Sequence, residues 1–236
     1  MKLDKKFWIN FAIYLFGLIL VGLGVQIIIY TDLGAAPLDA FTYYLARIYL
    51  QLFKSGDLSS HKTVIGAASF LFGTLTTIIL FAITRNKKLI FTWLNILLIS
   101  GIISAWGELF NNFSSEGVLM ILRILILIAA IIILAFGVFL VLLTEFPAGP
   151  PEEIMKLING KVNNLLVSKL ITEGMYLVLA LIAMTISKVV IDKSMMEFTQ
   201  VGAFTIVTLV LTALLISLFD KVFRKMTSKK GEIKNE

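Results

Sequence analysis

No cysteine occurs in this chain, so disulfides and thiolate metal sites are excluded and the redox compartment is left open. Histidine is nearly absent: His61 is the only one. It falls in a predicted outer loop, where it reads as a solvated residue lacking the partners a metal site needs. With no second histidine, a convincing Ser–His–Asp triad cannot be assembled. Phosphate-binding glycine loops, His-Glu-x-x-His runs and nucleophile elbows are missing as well. An enzymatic role is therefore not expected, and no metal or cofactor is implied. Charge is scarce too, at 15% of residues, where a soluble domain has about a quarter.

Apolar sequence fills the space. Hydrophobic residues make up 58% of the chain and mean hydropathy is +0.95. A membrane helix needs about 20 predominantly apolar residues. Six runs qualify: Phe7–Tyr30, Thr63–Ile83, Leu89–Leu109, Val118–Thr144, Leu170–Val190 and Phe198–Phe219. The first run follows Lys2, Lys5 and Lys6 but is too long for a signal-peptide core and lacks a cleavage site, so it reads as a retained span. No stretch outside the runs is long enough for a soluble domain. The net charge of +6 sits at span ends and in the tail, where it orients the chain and touches anionic lipid. Nucleic acid is not an expected partner.

Two shorter stretches, Pro37–Phe53 and Pro150–Val167, each follow a full span directly. Each opens with proline and carries acid in its first turn, Asp39 in one and Glu152 with Glu153 in the other. Proline tolerates the first helical position and carboxylates favour the positive helix end, so both read as helix starts. The two stretches are also copies. An ungapped offset of 113 carries Thr31-Asp32-Leu33-Gly34-Ala35-Ala36-Pro37-Leu38-Asp39 onto Thr144-Glu145-Phe146-Pro147-Ala148-Gly149-Pro150-Pro151-Glu152. It also carries Gly24 onto Gly137, Phe91-Thr92 onto Phe204-Thr205, and Ser104 onto Ser217. A fixed internal period marks a duplicated unit.

Each unit reads as span, break, short helix, span, span. Three spans is an odd number, so the second unit must cross the membrane in the opposite sense. The expected fold is an all-α membrane protein with six transmembrane helices in an inverted 3+3 repeat. Residues 1–113 form the first three-span repeat and residues 114–236 the second, with a basic tail. Lys2, Lys5, Lys6, Arg85, Lys87, Lys88, Lys156, Lys161 and the tail fall on one side. Arg47, Lys54, Lys62, Lys188 and Lys193 fall on the other. Positive loops stay inside, which predicts cytoplasmic termini. Trp8, Trp93, Trp106 and the Tyr43-Tyr44-Tyr49 group read as interfacial belt residues.

Acidic groups near membrane depth are costly and each asks for a reason. Asp32 and Glu145 end the first span of each unit. They could bind a cation, a proton or an amine, or simply meet water at an interface. Helix length places them near opposite faces, as matched gate residues and not one site. Asp39 and Glu152 either stabilise helix starts or mark half-helices that dip inward and present N–H groups to a ligand. Interrupted helices at matching places in two halves point to a transporter site. The helix breaks themselves carry Gly34 and Pro37, then Gly149 and Pro150. Asn95 and Thr208 lie on the polar faces of the third and sixth spans, beside Thr92 and Thr205. They serve either helix packing or ligand contact. Gln26 and Glu108 are further polar candidates, and Glu173 has Lys169 one turn earlier to pair with. Gly17, Gly22 and Gly24 form a small-residue face suited to close helix packing.

The run Gly17-Leu18 … Gly22-Leu23-Gly24 … Leu33-Gly34-Ala35-Ala36-Pro37-Leu38-Asp39 resembles the YczE/YyaS/YitT-type bacterial integral membrane proteins, most closely the YczE-like branch. Ala148-Gly149-Pro150-Pro151-Glu152 matches that family's second, mid-chain segment. The resemblance covers residues 7–224. It departs at Phe91-Thr92 and Phe204-Thr205, where the family often has Gly-Thr, and at Pro151, where a basic residue is common. It implies a six-span protein of the bacterial inner membrane and no particular activity. Taken together, the residues suggest a small-solute transporter or permease-like component. The alternative is a non-transporting membrane regulator or scaffold. Expected partners are the lipid bilayer, a small-molecule or ion substrate, and a second copy or another membrane protein.

Overall fold

The computed structural model describes residues 5–53, 59–144, 146–193 and 200–232. These form eight helices and, among the described residues, no strand. In order they are α1 (Lys5–Thr31), α2 (Pro37–Phe53), α3 (His61–Thr84), α4 (Thr92–Phe110, led by a 3₁₀ turn at Lys87–Phe91), α5 (Met120–Leu143), α6 (Pro150–Val162), α7 (Leu165–Thr185, continued by a π-helical segment Ile186–Ile191) and α8 (Ala203–Glu232). Six helices are long and apolar enough to cross a membrane: α1, α3, α4, α5, α7 and α8. The chain is a multi-pass membrane protein. Its outer faces carry exposed Leu71, Leu75, Leu97 and Ile121, as lipid contact requires.

Lipid tails are as apolar as leucine, so helices associate here by close packing and not by escape from water. Glycine makes that packing possible on α1 and α5. A Cβ on Gly24 would meet the Leu134 Cβ at 2.9 Å and its backbone at 3.0 Å, and a Cβ on Gly137 would meet the Val21 amide nitrogen at 2.8 Å. These are one contact with the two units exchanged, because the offset of 113 links Gly24 to Gly137 and Val21 to Leu134. The other helix neighbours also come in matched pairs. α1 packs on α4 as α5 packs on α8, α2 on α3 as α6 on α7, α3 on α4 as α7 on α8, and α2 on α7 as α3 on α6.

The two full spans that precede the breaks stop in the same way. Thr31 Oγ1 donates to the Ile28 carbonyl at 2.7 Å, and Thr144 Oγ1 donates to the Val141 carbonyl at 2.8 Å. Each hydroxyl bonds back into its own last turn, which competes with continuing the helix. After α1 the chain turns through Asp32 at φ 54° and Gly34 at φ 147°.

Several boundaries differ from the sequence expectation. The second short helix ends at Val162, not at residue 167. Asn163 takes the left-handed conformation (φ 51°) that closes α6. Asn164 caps α7 by accepting from the Val167 amide at 3.2 Å. Two consecutive asparagines thus end one helix and start the next, and α7 begins earlier than the apolar run suggested. The 113 offset slips here, since it would carry His61, the start of α3, to Gly174 inside α7. His61 itself is no solvated loop residue. It is buried in the first turn of α3, its Nε2 2.9 Å from the Tyr43 carbonyl and its ring edge-on to Tyr43. The expected start of the last span, Phe198, lies outside the described residues, and α8 is described from Ala203.

Candidate functional site

α7 serves as a ruler for depth. The far end of α2 is tied to the end of α7: Arg47 Nη2 lies 2.9 Å from Asp192 Oδ2, Gln51 also donates to Asp192, and Ser187 Oγ donates to Gln51 at 3.0 Å. The far end of α6 joins the start of α7 through Asn163 and Asn164. The first turns of both short helices line one cavity between these points, together with Tyr176. At 1.5 Å per residue Tyr176 is about 16 Å from Leu165 and about 22 Å from Ile191 along the helix. The short helices therefore start near mid-depth and run outward toward opposite ends of the ruler.

The cavity encloses about 140 Å³. Its polar lining includes Asp39 of α2, Glu152 of α6, Asn95 of α4 and Tyr176 of α7. The remaining wall is mainly hydrocarbon, including Phe72, Ile99 and Val138. Among the described residues, neither the Asp39 nor the Glu152 carboxylate makes a hydrogen bond or an ion pair, and both residues are half-buried. Tyr176 is 3% exposed, and its hydroxyl has no hydrogen-bond partner among the described residues. A buried polar group left unpaired costs free energy that a bound ligand would recover.

Asn95 is held from behind. Its Nδ2 donates to the Tyr14 hydroxyl at 2.8 Å, and that hydroxyl donates to the Pro147 carbonyl at 3.2 Å. Asn95 Oδ1 is left toward the cavity, 3.1 Å from where a Cβ on Gly149 would stand. This chain of bonds fastens the second break to α1 and α4. The first break is fastened differently. The Ala35 amide donates to the Gln200 carbonyl at 3.0 Å, while Gln200 Nε2 donates to the Ile29 carbonyl at 3.2 Å and to Asp32 Oδ1 at 2.9 Å. Arg123 of α5 donates to the Thr31 and Asp32 carbonyls at 2.7 and 3.1 Å. A Cβ on Gly34 would stand 2.7 Å from the Thr205 amide nitrogen, so the backbone of the break lies directly on the start of α8.

A family model described as a family of unknown function (DUF6198) matches residues 8–221. The chain belongs to that family. No curated protein and no solved structure matches it.

In this DUF6198 member the candidate residues from the sequence fall in different places. Asp39, Asn95, Glu152, Gly149 and Pro150 line the central cavity. Pro37 opens α2, while Gly34 and Asp32 form the first break away from that cavity. Asp32 instead lines a separate pocket of about 230 Å³ with His61, Lys62 and Gln200. Thr208 is buried in α8, donates to the Phe204 carbonyl at 2.8 Å and does not line the cavity. Glu145 lies outside the described residues. Gln26 and Glu108 hold helices together: Gln26 Nε2 donates to the Lys62 and Ile103 carbonyls, each at 3.1 Å, and Glu108 accepts from Thr63 at 2.8 Å. Lys169 and Glu173 pair at 2.6 Å as the sequence spacing suggested.

Tyr176, Tyr14, Gln200 and Arg123 carry structural weight that sequence reasoning missed. Arg123 did leave a signal, being a charge inside a predicted span, which the rule for intramembrane charges flags at once. Tyr14 and Tyr176 left none, since an aromatic residue in an apolar run is ordinary.

Proposed function

We propose that this protein carries a small solute across the bacterial inner membrane, by rocking two inverted three-span halves around the cavity between α2 and α6. The observation that carries this reading is that Asp39 and Glu152 line the same cavity. They are copies of one position, 113 residues apart in the chain, and they line one cavity near mid-depth. Transporters built from inverted repeats place their sites at the interface of the two copies, on interrupted helices. The matched contacts of Gly24 and Gly137, and the matched neighbour pairs of the helices, support an inverted duplication. Cytoplasmic termini follow from the charge asymmetry of the loops. Kinship with YczE-like proteins rests on the same two breaks.

The test begins with a thermal-shift screen of the full chain in lipid nanodiscs against amines, carboxylates, sugars, nucleosides and ions. A ligand that binds saturably raises the transition temperature by mass action. Any hit is then assayed for counterflow in proteoliposomes. Counterflow that a bulky substitution at Gly149 abolishes supports carriage. Saturable binding without counterflow overturns it, and leaves a ligand-sensing membrane factor.

A further inference from the structure

We propose that the central cavity takes a small organic ammonium cation, with the ammonium between Asp39 and Glu152 and a hydrocarbon body against Phe72 and Val138. This deepens the transport reading and rests on it for the role of the site, but not for the chemistry of the ligand.

Charge decides the sign. Asp39 and Glu152 line the cavity, Glu173 lies within electrostatic range of Asp39, and Lys169 is ion-paired to Glu173 while within electrostatic range of Asp39 and Glu152. With Lys169 paired to Glu173, the Asp39 and Glu152 carboxylates have no counter-charge of their own, and a cation is the group that stabilises their ionised forms in a low-dielectric setting. Helix starts can instead bind anions through free N–H groups, but here those groups are few. Pro150 and Pro151 have no N–H, and the Glu153 amide already donates to the Gly149 carbonyl at 3.1 Å. In α2 the Ala40 amide donates to the Ala36 carbonyl at 2.8 Å.

The acceptors match the donors of an ammonium. A primary ammonium has three N–H bonds and no acceptor. Asp39, Glu152 and Asn95 Oδ1 supply acceptors from three helices, and Asn95 is prevented from flipping by its bond to Tyr14. The buried, unpartnered Tyr176 hydroxyl is an independent sign that the cavity is built for a polar guest. A bare metal ion fits poorly. It would want an oxygen cage, whereas Phe72, Ile96, Ile99 and Val138 present hydrocarbon. The volume of about 140 Å³ sets the size of the body. A dry protein cavity of roughly 150 Å³ is large enough for benzene. A ring or a branched alkyl group of that size, bearing one amine, fills the space.

Benzylamine, benzyl alcohol and benzoate share one body and differ in charge, so they separate the possibilities. With the full chain in nanodiscs, benzylamine should give a saturable rise in transition temperature. Benzyl alcohol and benzoate should bind about tenfold or more weakly, and sodium chloride alone should give no saturable rise. Glu152→Gln and Asp39→Asn should each weaken benzylamine about 10- to 100-fold, because a desolvated ammonium loses a charged partner. Tyr176→Phe should weaken it a few-fold while the preference for amine over alcohol persists. If a variant fails to fold, the three-ligand comparison on the parent protein still decides. Equal binding of alcohol and amine, preference for benzoate, a response to sodium that benzylamine cannot displace, or no response to benzylamine would each overturn the proposal. Benzylamine binding without counterflow removes the transport reading and keeps this one. Counterflow of an anion or a neutral solute through the same cavity does the reverse.

Discussion

Asp39 and Glu152 line one cavity from opposite units of the chain, and neither carboxylate has a hydrogen-bond or ion-pair partner among the described residues. Carboxylates at helix starts ordinarily face water, where the helix dipole stabilises them by about 0.3–1 kcal/mol. At mid-depth that small gain cannot offset desolvation. Their placement is a cost to the fold, and such costs concentrate at functional sites. The predictions that follow separate what holds the cavity in shape from what fills it.

Gly34 and Gly149 occupy equivalent-looking breaks but should respond differently to alanine. Gly34 has φ 147°, and its new Cβ would meet the backbone of Thr205 at 2.7 Å. Gly34→Ala should destabilise the protein by about 1–3 kcal/mol or prevent its accumulation. Gly149 has φ −71°, and its Cβ would stand closest to the far ends of Glu152 and Asn95, with Pro151 Cδ at an ordinary 3.5 Å. Gly149→Ala should fold, with the intrusion falling inside the cavity. Thermal unfolding of the two detergent-solubilised variants, compared by size-exclusion fluorescence, distinguishes these outcomes; equal losses would contradict the geometry.

The link from Asn95 through Tyr14 to Pro147 should behave as a unit. Tyr14→Phe removes a hydroxyl that both accepts from Asn95 and donates to Pro147, and strands buried polar groups. The expected cost is about 1–3 kcal/mol. Asn95→Leu alone leaves the Tyr14 hydroxyl its bond to Pro147. A double-mutant cycle should show coupling of about 0.5–3 kcal/mol. Strict additivity would mean that the bonds do not organise the second break.

Asp32→Asn should be nearly silent. The residue sits at φ 54°, a conformation asparagine tolerates, and its Oδ1 can still accept from Gln200. Stability should change by a few tenths of a kcal/mol, and ligands of the central cavity should be unaffected because Asp32 does not line it. A large loss of binding on this substitution would join the outer pocket of Asp32 and His61 to the central site.

Orientation can be read with single cysteines, since the chain has none of its own. Ser115→Cys should react with an impermeant thiol reagent on intact cells, and Ser228→Cys only after lysis. Labelling of residue 228 from outside would reverse the proposed topology.

Much of this architecture is legible in the sequence because the forces are local. Pro37 and Pro150 with the acids behind them announce helix starts, and α2 runs from Pro37 to Phe53 as its composition suggests. That Asp39 and Glu152 line one cavity is not legible. It depends on how α1 crosses α5 at Gly24 and Gly137, and glycine in a span marks closeness without naming its partner. Tyr176 is invisible for a related reason: its importance lies in what its hydroxyl fails to contact. His61 lies two residues before the apolar run that begins at Thr63, so hydropathy alone leaves it in a loop, whereas it opens α3. The Asn163–Asn164 junction is not legible because nothing local distinguishes consecutive caps from two polar residues within a helix.

The fastening of the first break also dictates when it can form. Gln200, which ties Ile29 and Asp32, is 171 positions beyond Ile29. At synthesis rates of about 5–20 residues per second, Gln200 emerges roughly 10–30 seconds after the break it secures. Until then the Thr31 and Asp32 carbonyls hold at most the bonds from Arg123, and Gly34 has no α8 to rest on. The earliest interruption in the chain is thus among the last parts of the fold to be completed. During that interval the nascent chain carries an open seam in the bilayer, one that only the arrival of its final span can close.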